Sequence, residues 1–314
     1  MADSEAPAIS VIIPVYNRED QIGDAIESVF EQSFRDLELI VVDDGSRDNS
    51  VDVVRSYDDD RLRLLEHDIN QNGSAARNTG IDAARGEFVA FLDSDDRWMP
   101  HKLEVIHQRI ESLRERGKLS DKTAIFSALE MQTPQSTVRL PVRPPKGDET
   151  IREYISMGHG LIHMITLVTT RTLAASVRFD EQLPVGQDAD FAMRLDATGA
   201  DFYYIDEVLA VWQRMGDDHV SGSNKYQAGL QWLERNPDLL TARQKARYLG
   251  AVLSRRAIRA GEKGLALQWI LGGLASGVLQ PREVAELLTA LALPPELDQR
   301  LWNGLRRLYH SVGA

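Results

Sequence analysis

Closely spaced aspartates follow the apolar run of residues 88–92. Asp93, Asp95 and Asp96 come directly after this run, which consists of Phe, Val, Ala, Phe and Leu. A buried strand at this place would carry their carboxylates to one rim of a sheet. Carboxylate oxygens suit hard cations such as Mg²⁺ and Mn²⁺, which often bind the phosphates of a substrate as well. The run therefore predicts a site for Mn²⁺ or Mg²⁺.

Two alternative kinds of binding loop fit these residues less well. A calcium loop of the EF-hand type would use Asp93, Asp95 and Glu104, but Trp98 occupies the position that requires glycine. Phosphate binding by a glycine-rich loop needs G-x-x-x-x-G-K-[ST] or G-x-G-x-x-G, and the sequence contains neither. We expect a metal ion to take the place of such a loop.

The aspartates belong to an alternation of apolar runs and helix-like periodicity. β-rich runs cover residues 9–15, 37–42, 62–65 and 88–92, and apolar residues recur at helical spacing between them. This alternation predicts an α/β fold with a mostly parallel sheet flanked by helices. Ligands of such sheets bind outside the carboxyl ends of the strands, where neighbouring loops converge. Polar clusters fall at such ends over residues 14–17, 43–46, 72–80 and 93–96.

Composition limits the class of protein. The 314 residues carry a formal net charge of −12 with a pI near 5.1, so we expect no nucleic-acid partner. Cysteine is absent, which excludes disulfides, thiolate metal sites and a cysteine nucleophile. The first residues lack the basic and apolar segments of a secretory signal. We therefore expect a cytoplasmic protein.

Charge is distributed unevenly and predicts two domains, residues 1–224 and a helical extension over residues 225–314. The extension holds 13 basic and 7 acidic residues, whereas acidic residues dominate the first domain. Arg255, Arg256 and Arg259 share one helical face, and an apolar stretch too short for a membrane span follows them. The extension is consistent with peripheral contact at the anionic inner face of a membrane, or with a packed bundle or an oligomer interface.

Five segments together resemble the family 2 glycosyltransferases, which have the GT-A fold. They are SVIIPVYNRE (10–19), ELIVVDDGS (38–46), NGSAARNTG (72–80), FLDSDD (91–96) and GQDADFAMRL (186–195). The resemblance spans about residues 8–221 and implies transfer of a sugar from a nucleotide diphosphate donor with inversion. We expect a UDP-linked donor. The acceptor would be a saccharide, lipid-linked or protein hydroxyl in polysaccharide or glycoconjugate biosynthesis.

The same resemblance implies roles around the base of the donor. Tyr16 would pack near the base, and Asp44 would accept its imide hydrogen. Pro14 and Asn17 would shape the loop that carries Tyr16. These residues all lie in two of the polar clusters at predicted strand ends.

A second group would contact the ribose and the diphosphate. Arg77 and Asn78 are similar to family residues beside these groups, although Arg77 is equally suited to a structural ion pair. Asp93 resembles the ribose contact, and Asp95 resembles the metal ligand of the D-x-D pattern. Asp96 suits either role, which leaves the choice between Asp95 and Asp96 as main metal ligand open.

The catalytic base is the last role that the resemblance implies. Asp188 falls at the family's position for it, at the start of a helix predicted over residues 188–198. A single displacement needs a carboxylate within hydrogen-bond reach of the acceptor hydroxyl. Gln187 stands where the family usually has Glu, and because Gln cannot ionise the base role rests on Asp188. Arg214 would contact the diphosphate, and His219 would be a further metal ligand.

Two other functions remain open from the sequence. One is a non-catalytic module that binds nucleotide sugars, which Asp188 argues against. The other is a sugar-phosphate nucleotidyltransferase, which also has a parallel sheet and metal-binding carboxylates. That enzyme would need a basic glycine-rich loop after the first strand, and Asn17, Arg18 and Glu19 do not form one.

Overall fold

The computed structural model describes residues 6–158, 160–214 and 226–292. They form two compact units, the first with residues 6–155 and 160–214, the second with residues 156–158 and 226–292. The first unit is a mixed α/β structure and the second consists of helices, so the predicted fold class is confirmed. Within the described ranges, no helix has the length and apolar character needed to cross a bilayer.

The first unit alternates strands with helices over most of its length. Its strands are β1 (Ile9–Val15), β2 (Leu37–Asp43), β3 (Leu62–Glu66), β4 (Phe88–Phe91), β5 (Arg97–Trp98), β6 (Thr123–Thr133), β7 (Ser136–Leu140), β8 (Val168–Thr170) and β9 (Asp201–Gln213). Its helices are α1 (Ile22–Phe30), α2 (Ser50–Arg55), α3 (Gly73–Ala83), α4 (Lys102–Glu115), α5 (Ile151–Ser156), α6 (Arg171–Val177) and α7 (Gln187–Ala197).

All of these strands join one sheet in the order β3-β2-β1-β4-β8-β6-β9-β5, with β7 paired to β6. The pairs β2–β3, β1–β2 and β1–β4 are parallel, whereas β8 is antiparallel to both β4 and β6. Because β1, β2 and β4 are adjacent and parallel, their carboxyl ends lie at one edge of the sheet. The polar clusters of the sequence are therefore brought together at that edge.

The core lies on both faces of the sheet. Val11, Ile13 and Leu39 pack on one face with apolar residues of α1 and α4. Ile12 and Ile40 pack on the other with residues of α3, α6 and α7. Successive residues of a strand point to opposite faces, so a strand buried on both sides is apolar throughout. This explains why the central strands were predictable as continuous apolar runs.

A buried carboxylate joins the amino ends of β1 and β2, away from the carboxyl edge. Glu38 is 1% exposed and pairs in register with Ser10. Its oxygens accept hydrogen bonds from the Ser10 hydroxyl at 2.7 Å, from Arg63 at 3.0 Å and from the main-chain and side-chain nitrogens of Arg85 at 2.8 and 2.9 Å. Burial favours a raised pKa for Glu38, but these hydrogen bonds outweigh it and hold the pKa below its ordinary value.

The second unit is built from α8 (Tyr226–Arg235), α9 (Ala242–Arg247), a π-helical segment (Tyr248–Leu253), α10 (Ser254–Arg259), α11 (Lys263–Ala275) and α12 (Pro281–Ala292). Ala266 and Ile270 of α11 lie in its core, together with Leu287 of α12. Another side of α11 exposes Leu267, Leu271 and Leu274, which we call the α11 leucine face. Part of the apolar stretch therefore faces outward.

One predicted element differs in an informative way. The sequence favours a strand over residues 165–170, but Met164–Thr166 is a turn of 3₁₀-helix and the strand is limited to β8. The turn is closed by hydrogen bonds from the N–H and the hydroxyl of Thr166 to the carbonyl of His163, at 2.9 and 2.8 Å. An apolar run alone cannot distinguish these conformations. The difference matters because the turn carries residues of the site.

Candidate active site

The loops after β1 and β2 are bound to each other at the carboxyl edge. The N–H of Asp44 donates to the carbonyl of Val15 at 2.8 Å, and the N–H of Asn17 donates to the Ser46 hydroxyl at 2.9 Å. Asn17 has a φ of +50°, and its side-chain oxygen accepts the N–H of Arg47 at 2.8 Å. These contacts of Asn17 fix the loop that follows Pro14.

Asp44 is buried beneath this loop and holds a neighbouring segment. Its Oδ1 accepts the N–H of Gln71 and contacts Nδ1 of His67, both at 2.8 Å, and its Oδ2 accepts the N–H of Asn72 at 2.7 Å. The carboxylate therefore positions the start of α3. Tyr16 lies in the loop after β1 with 39% of its surface exposed, so its ring is available to a ligand.

Arg77 and Asp93 form an ion pair across the edge. Nη2 of Arg77 lies 2.5 Å from Oδ1 of Asp93, and the guanidinium group lies over the ring of Phe179 at 5.5 Å. Burial favours a raised pKa for Asp93, but the charges of Arg77 and His163 hold the pKa below its ordinary value. Nε of Arg77 is buried and has no hydrogen-bond partner within the described residues. The structure thus supports the ion-pair role of Arg77, and one of its donors remains unused.

Asp96 is the most deeply buried of the three aspartates. It is 1% exposed, its Oδ1 accepts the N–H of Gln213 at 2.8 Å, and its Oδ2 has no hydrogen-bond partner in the described part of the chain. Burial raises the pKa of Asp96 well above its ordinary value, and the negative charges of Asp93, Asp95 and Asp188 raise it further. A nearby cation would compensate the negative charge of such a carboxylate.

A histidine that the sequence analysis did not select completes this group. Ligand atoms of Asp93, Asp96 and His163 all lie within 4.8 Å of one another. Nδ1 of His163 is buried and, like Oδ2 of Asp96, makes no hydrogen bond within the described residues. Carboxylate oxygens with one imidazole nitrogen form a suitable donor set for Mn²⁺. The residues present therefore fit a divalent cation.

This group differs from the predicted ligands, Asp95, Asp96 and His219. Asp96 belongs to both sets. Asp95 lies 3.8 Å from Nε of Arg18 and is not in the group, because the turn after β4 closes through a hydrogen bond from the N–H of Asp96 to the carbonyl of Asp93. His219 lies outside the described residues. The structure thus brings Asp93, rather than Asp95, to Asp96.

Asp188 lies in the first turn of α7, next to Asp93, Asp96 and His163, which we call the metal-ligand group because they could hold a cation. Its Oδ2 accepts the N–H of Met164 at 3.1 Å and lies 3.8 Å from Nδ1 of His163. Its side chain is 24% exposed, which leaves it accessible to a substrate hydroxyl. The side-chain amide of Gln187 is directed elsewhere and donates to the carbonyl of Leu183 at 3.0 Å.

Arg214 reaches the site through an aromatic stack. Its guanidinium group lies 5.2 Å from the centre of the Trp212 ring, and that ring lies 4.6 Å from the centre of the His163 ring. A cation over the face of an aromatic ring is a favourable contact. Trp212, which the sequence analysis did not assign, therefore links Arg214 to His163.

Asn78 has a structural role in this arrangement. It is 2% exposed, and both of its amide hydrogens are donated within the protein, to the carbonyl of Phe179 at 3.0 Å and to Glu181 at 2.8 Å. Its Oδ1 accepts the N–H of Phe179 at 2.8 Å. These bonds join α3 to the segment before α7. The prediction that Asn78 contacts the donor is not supported, because its hydrogens are already used.

Comparison with known proteins identifies the chain as a glycosyltransferase. A family model described as Glycosyl transferase family 2 matches residues 10–145, and this chain belongs to that family. It is 35% identical to the amylovoran biosynthesis glycosyltransferase AmsB of Erwinia amylovora, over 77% of this chain and 81% of AmsB. A shorter match, 43% identical over 31% of this chain and 38% of the relative, is to WfgD of Escherichia coli, named as a UDP-Glc:alpha-D-GlcNAc-diphosphoundecaprenol beta-1,3-glucosyltransferase.

Solved structures agree on the fold. The crystal structure of S. aureus TarS 1–349 in complex with UDP-GlcNAc is similar with a TM-score of 0.58 and 21% identity, over 90% of this chain and 87% of TarS 1–349. The likeness establishes the GT-A fold for this chain.

Proposed function

We propose that this enzyme transfers a sugar from a UDP-linked donor to an acceptor hydroxyl, with inversion, in the biosynthesis of a polysaccharide or glycoconjugate. The observation that carries the proposal is the convergence of Arg77, Asp93, Asp96, His163 and Asp188 at the carboxyl edge of the parallel strands. The names of AmsB and WfgD support the biosynthetic class, and the UDP-sugar in the name of WfgD and in the TarS complex supports the donor.

The donor is held by loops from neighbouring strands. Tyr16 packs on the base of the donor. Asp44 accepts the imide hydrogen of that base, because Oδ2 of Asp44 keeps a free lone pair beside the hydrogen bond that it accepts from Asn72. Arg77, through its unused Nε donor, contacts the ribose or the diphosphate. Arg214 approaches the diphosphate from the other side of the site, over Trp212.

A divalent cation, Mn²⁺ or Mg²⁺, is held by Asp93, Asp96 and His163. The unpartnered Oδ2 of Asp96 and Nδ1 of His163 support this donor set. When bound, the cation supplies positive charge that stabilises the leaving diphosphate. This set replaces the predicted ligand Asp95 with Asp93. Its histidine, His163, directly precedes the 3₁₀ turn before β8.

Asp188 acts as the general base. It removes the proton from the acceptor hydroxyl while the oxygen attacks the anomeric carbon and the bond from that carbon to the diphosphate oxygen breaks. The diphosphate leaves with the bonding electron pair, and the single displacement inverts the anomeric centre. Because the N–H of Met164 donates to Oδ2 of Asp188, the carboxylate is fixed in one orientation before the substrate binds.

The acceptor is a saccharide hydroxyl on a lipid carrier at the cytoplasmic face of a membrane. This part of the proposal rests on the diphosphoundecaprenol substrate in the name of WfgD and on the α11 leucine face, whose residues are 39% to 52% exposed. The basic face of α10 contributes less than predicted, because Arg255 contacts Glu286 at 3.4 Å. Arg259 is exposed at the end of α10 and is the basic residue of that face with the clearest access to a lipid headgroup.

A thermal-shift screen of nucleotide sugars with Mn²⁺ tests the donor. A ligand that binds the native state raises the melting temperature, and at a hundred times its Kd it adds about 2.7 kcal/mol. We expect shifts with UDP and with at least one UDP-sugar, larger with Mn²⁺ than with chelator. Shifts with ADP- or GDP-sugars and none with UDP compounds would overturn the donor assignment.

A further inference from the structure

Lys102 is a charged residue type at a completely buried position. It is the first residue of α4 and is 0% exposed. Its Nζ donates to the carbonyl of Ile165 at 3.1 Å and lies 4.8 Å from the centre of the Trp98 ring. Nε1 of Trp98 donates to the same carbonyl at 2.9 Å. Two buried donors from the segment after the acidic loop therefore converge on one oxygen.

The carbonyl oxygen of Ile165 belongs to the 3₁₀ turn Met164–Thr166, which adjoins the residues of the site. His163 directly precedes the turn, and its ring faces Asp93 and Asp96. Met164 donates its N–H to Asp188 at 3.1 Å. Ile165, the next residue, accepts the hydrogen bonds of Lys102 and Trp98. Three consecutive residues thus connect to the metal-ligand group, to the proposed base and to the buried amine.

Core packing alone does not require an amine here. Burial disfavours the ammonium form, and it lowers the pKa of Lys102 to about 7. Methionine has a similar length and would fill the same volume without this cost, since apolar replacements of buried charged groups are often neutral or stabilising. What methionine cannot supply is a hydrogen bond to the Ile165 carbonyl.

We propose that Lys102 is a positioning residue of the transfer reaction, which together with Trp98 fixes the Ile165 carbonyl and so orients His163 toward the cation and the Met164 N–H toward Asp188. The inference rests on the proposed function. It assigns Lys102 no contact with substrate. Its effect passes through the turn of residues 163–166, in the way that residues behind a metal ligand orient that ligand.

The test is Mn²⁺ binding by the full chain, measured as free Mn²⁺ by electron paramagnetic resonance, together with kcat and KM on the UDP-sugar found by the screen. We expect Lys102→Met to weaken Mn²⁺ binding about tenfold or more, the range found for residues behind metal ligands. We also expect kcat to fall by a similar factor while the KM for the donor changes less. The melting temperature should stay equal to that of the wild type or rise.

Gln32→Met is the matched control. Gln32 is also buried and holds the same helix start, through its bonds to the carbonyl of Met99 at 2.8 Å and the N–H of Leu103 at 2.9 Å. Its side-chain hydrogen bonds within the described residues do not include Ile165. We expect it to lower stability and to leave Mn²⁺ affinity close to the wild-type value. Equal losses of Mn²⁺ affinity in both variants would show general loosening of α4 and overturn the proposal.

Trp98→Phe keeps the proposal testable if Lys102→Met does not fold. It removes the Nε1 donor to the Ile165 carbonyl and keeps Lys102, so it should also weaken Mn²⁺ binding. The positioning role would be overturned if the folded Lys102→Met variant had the Mn²⁺ affinity and kcat of the wild type. If only Trp98→Phe folds, the same result in that variant would overturn it. The proposed function would stand in either case. A wild-type enzyme that neither binds Mn²⁺ nor consumes any UDP-sugar would overturn both.

Discussion

The main-chain N–H of Met164 donates a hydrogen bond of 3.1 Å to Oδ2 of Asp188. This contact joins the 3₁₀ turn before β8 to the first turn of α7, two elements that are distant in sequence. It occupies one oxygen of the carboxylate, and Oδ1 has no hydrogen-bond partner among the residues that the structure describes. Asp188 is therefore held on one side, and in the proposed mechanism its other oxygen receives the proton of the acceptor hydroxyl.

Substitution of the candidate metal ligands one at a time distinguishes the set predicted from the sequence from the set found in the structure. We expect His163→Ala and Asp96→Asn each to weaken Mn²⁺ binding about tenfold or more, since even residues behind metal ligands have effects of this size. Asp95→Asn is the matched control and should have a smaller effect, because Asp95 is not in the group of Asp93, Asp96 and His163. Titration of Mn²⁺ into each variant measures this. Weaker Mn²⁺ binding by Asp95→Asn than by both other variants would support the ligand set expected from the sequence.

The sequence was sufficient to predict the strands at the site, but it was insufficient to predict that Asp93, Asp96 and His163 lie together. Continuous apolar runs identify β1 and β2, whose last residues, Val15 and Asp43, pair in register in the structure. His163 could not be found because its partners, Asp93 and Asp96, lie on a distant loop and no spacing rule connects them. Which aspartate after β4 joins the group depends on how the backbone turns there, and periodicity does not encode that turn.

Glu38 should contribute to stability in a pH-dependent manner. Glu38→Gln removes a buried charge that bonds to Ser10, Arg63 and Arg85, and because both arginine side chains are partly exposed we expect a loss of about 1.5 to 3 kcal/mol of unfolding free energy. Because the pKa of Glu38 is lowered in the folded state, its contribution is present above the unfolded value, about 4.3, and is lost as the pH falls through the folded pKa. Denaturant unfolding at several pH values measures both effects.

Glu87→Gln provides the control for that experiment. Glu87 pairs with Arg114 at 2.8 Å, but both side chains are about half exposed. A surface pair of this kind contributes about 1 kcal/mol or less. If the two variants lost equal amounts of stability, the buried cluster around Glu38 would not have the importance that we assign to it.

Lys102 should make the folded state more stable at high pH than at neutral pH. Its pKa is lowered by burial to about 7, so between this value and the unfolded value the unfolded chain binds a proton that the folded chain does not. The stability of the wild type relative to Lys102→Met should rise with pH over this interval by up to about 1.4 kcal/mol per pH unit. Below about pH 7 the difference should be constant. Parallel stability curves from pH 7 to pH 9 would show that Lys102 keeps an ordinary pKa.

The α11 leucine face should mediate binding to anionic vesicles. Replacing Leu267, Leu271 and Leu274 together with serine removes the exposed apolar stripe, and we expect the fraction that sediments with anionic liposomes to fall severalfold. Leu288→Ser is the control, since Leu288 is exposed to a similar extent, 43%, on α12. Recovery of the wild type in the supernatant with both neutral and anionic vesicles at low salt would contradict membrane contact.

The turnover of Asp188→Asn relative to wild type, with the UDP-sugar and Mn²⁺ at saturation and donor binding measured in parallel, tests the central claim most directly. Asparagine keeps the size of the side chain and can still face the N–H of Met164, but it cannot accept a proton. We predict that turnover falls about a hundredfold or more while the Kd of the donor changes by less than about threefold. Turnover close to the wild-type value would place the base elsewhere and contradict the mechanism.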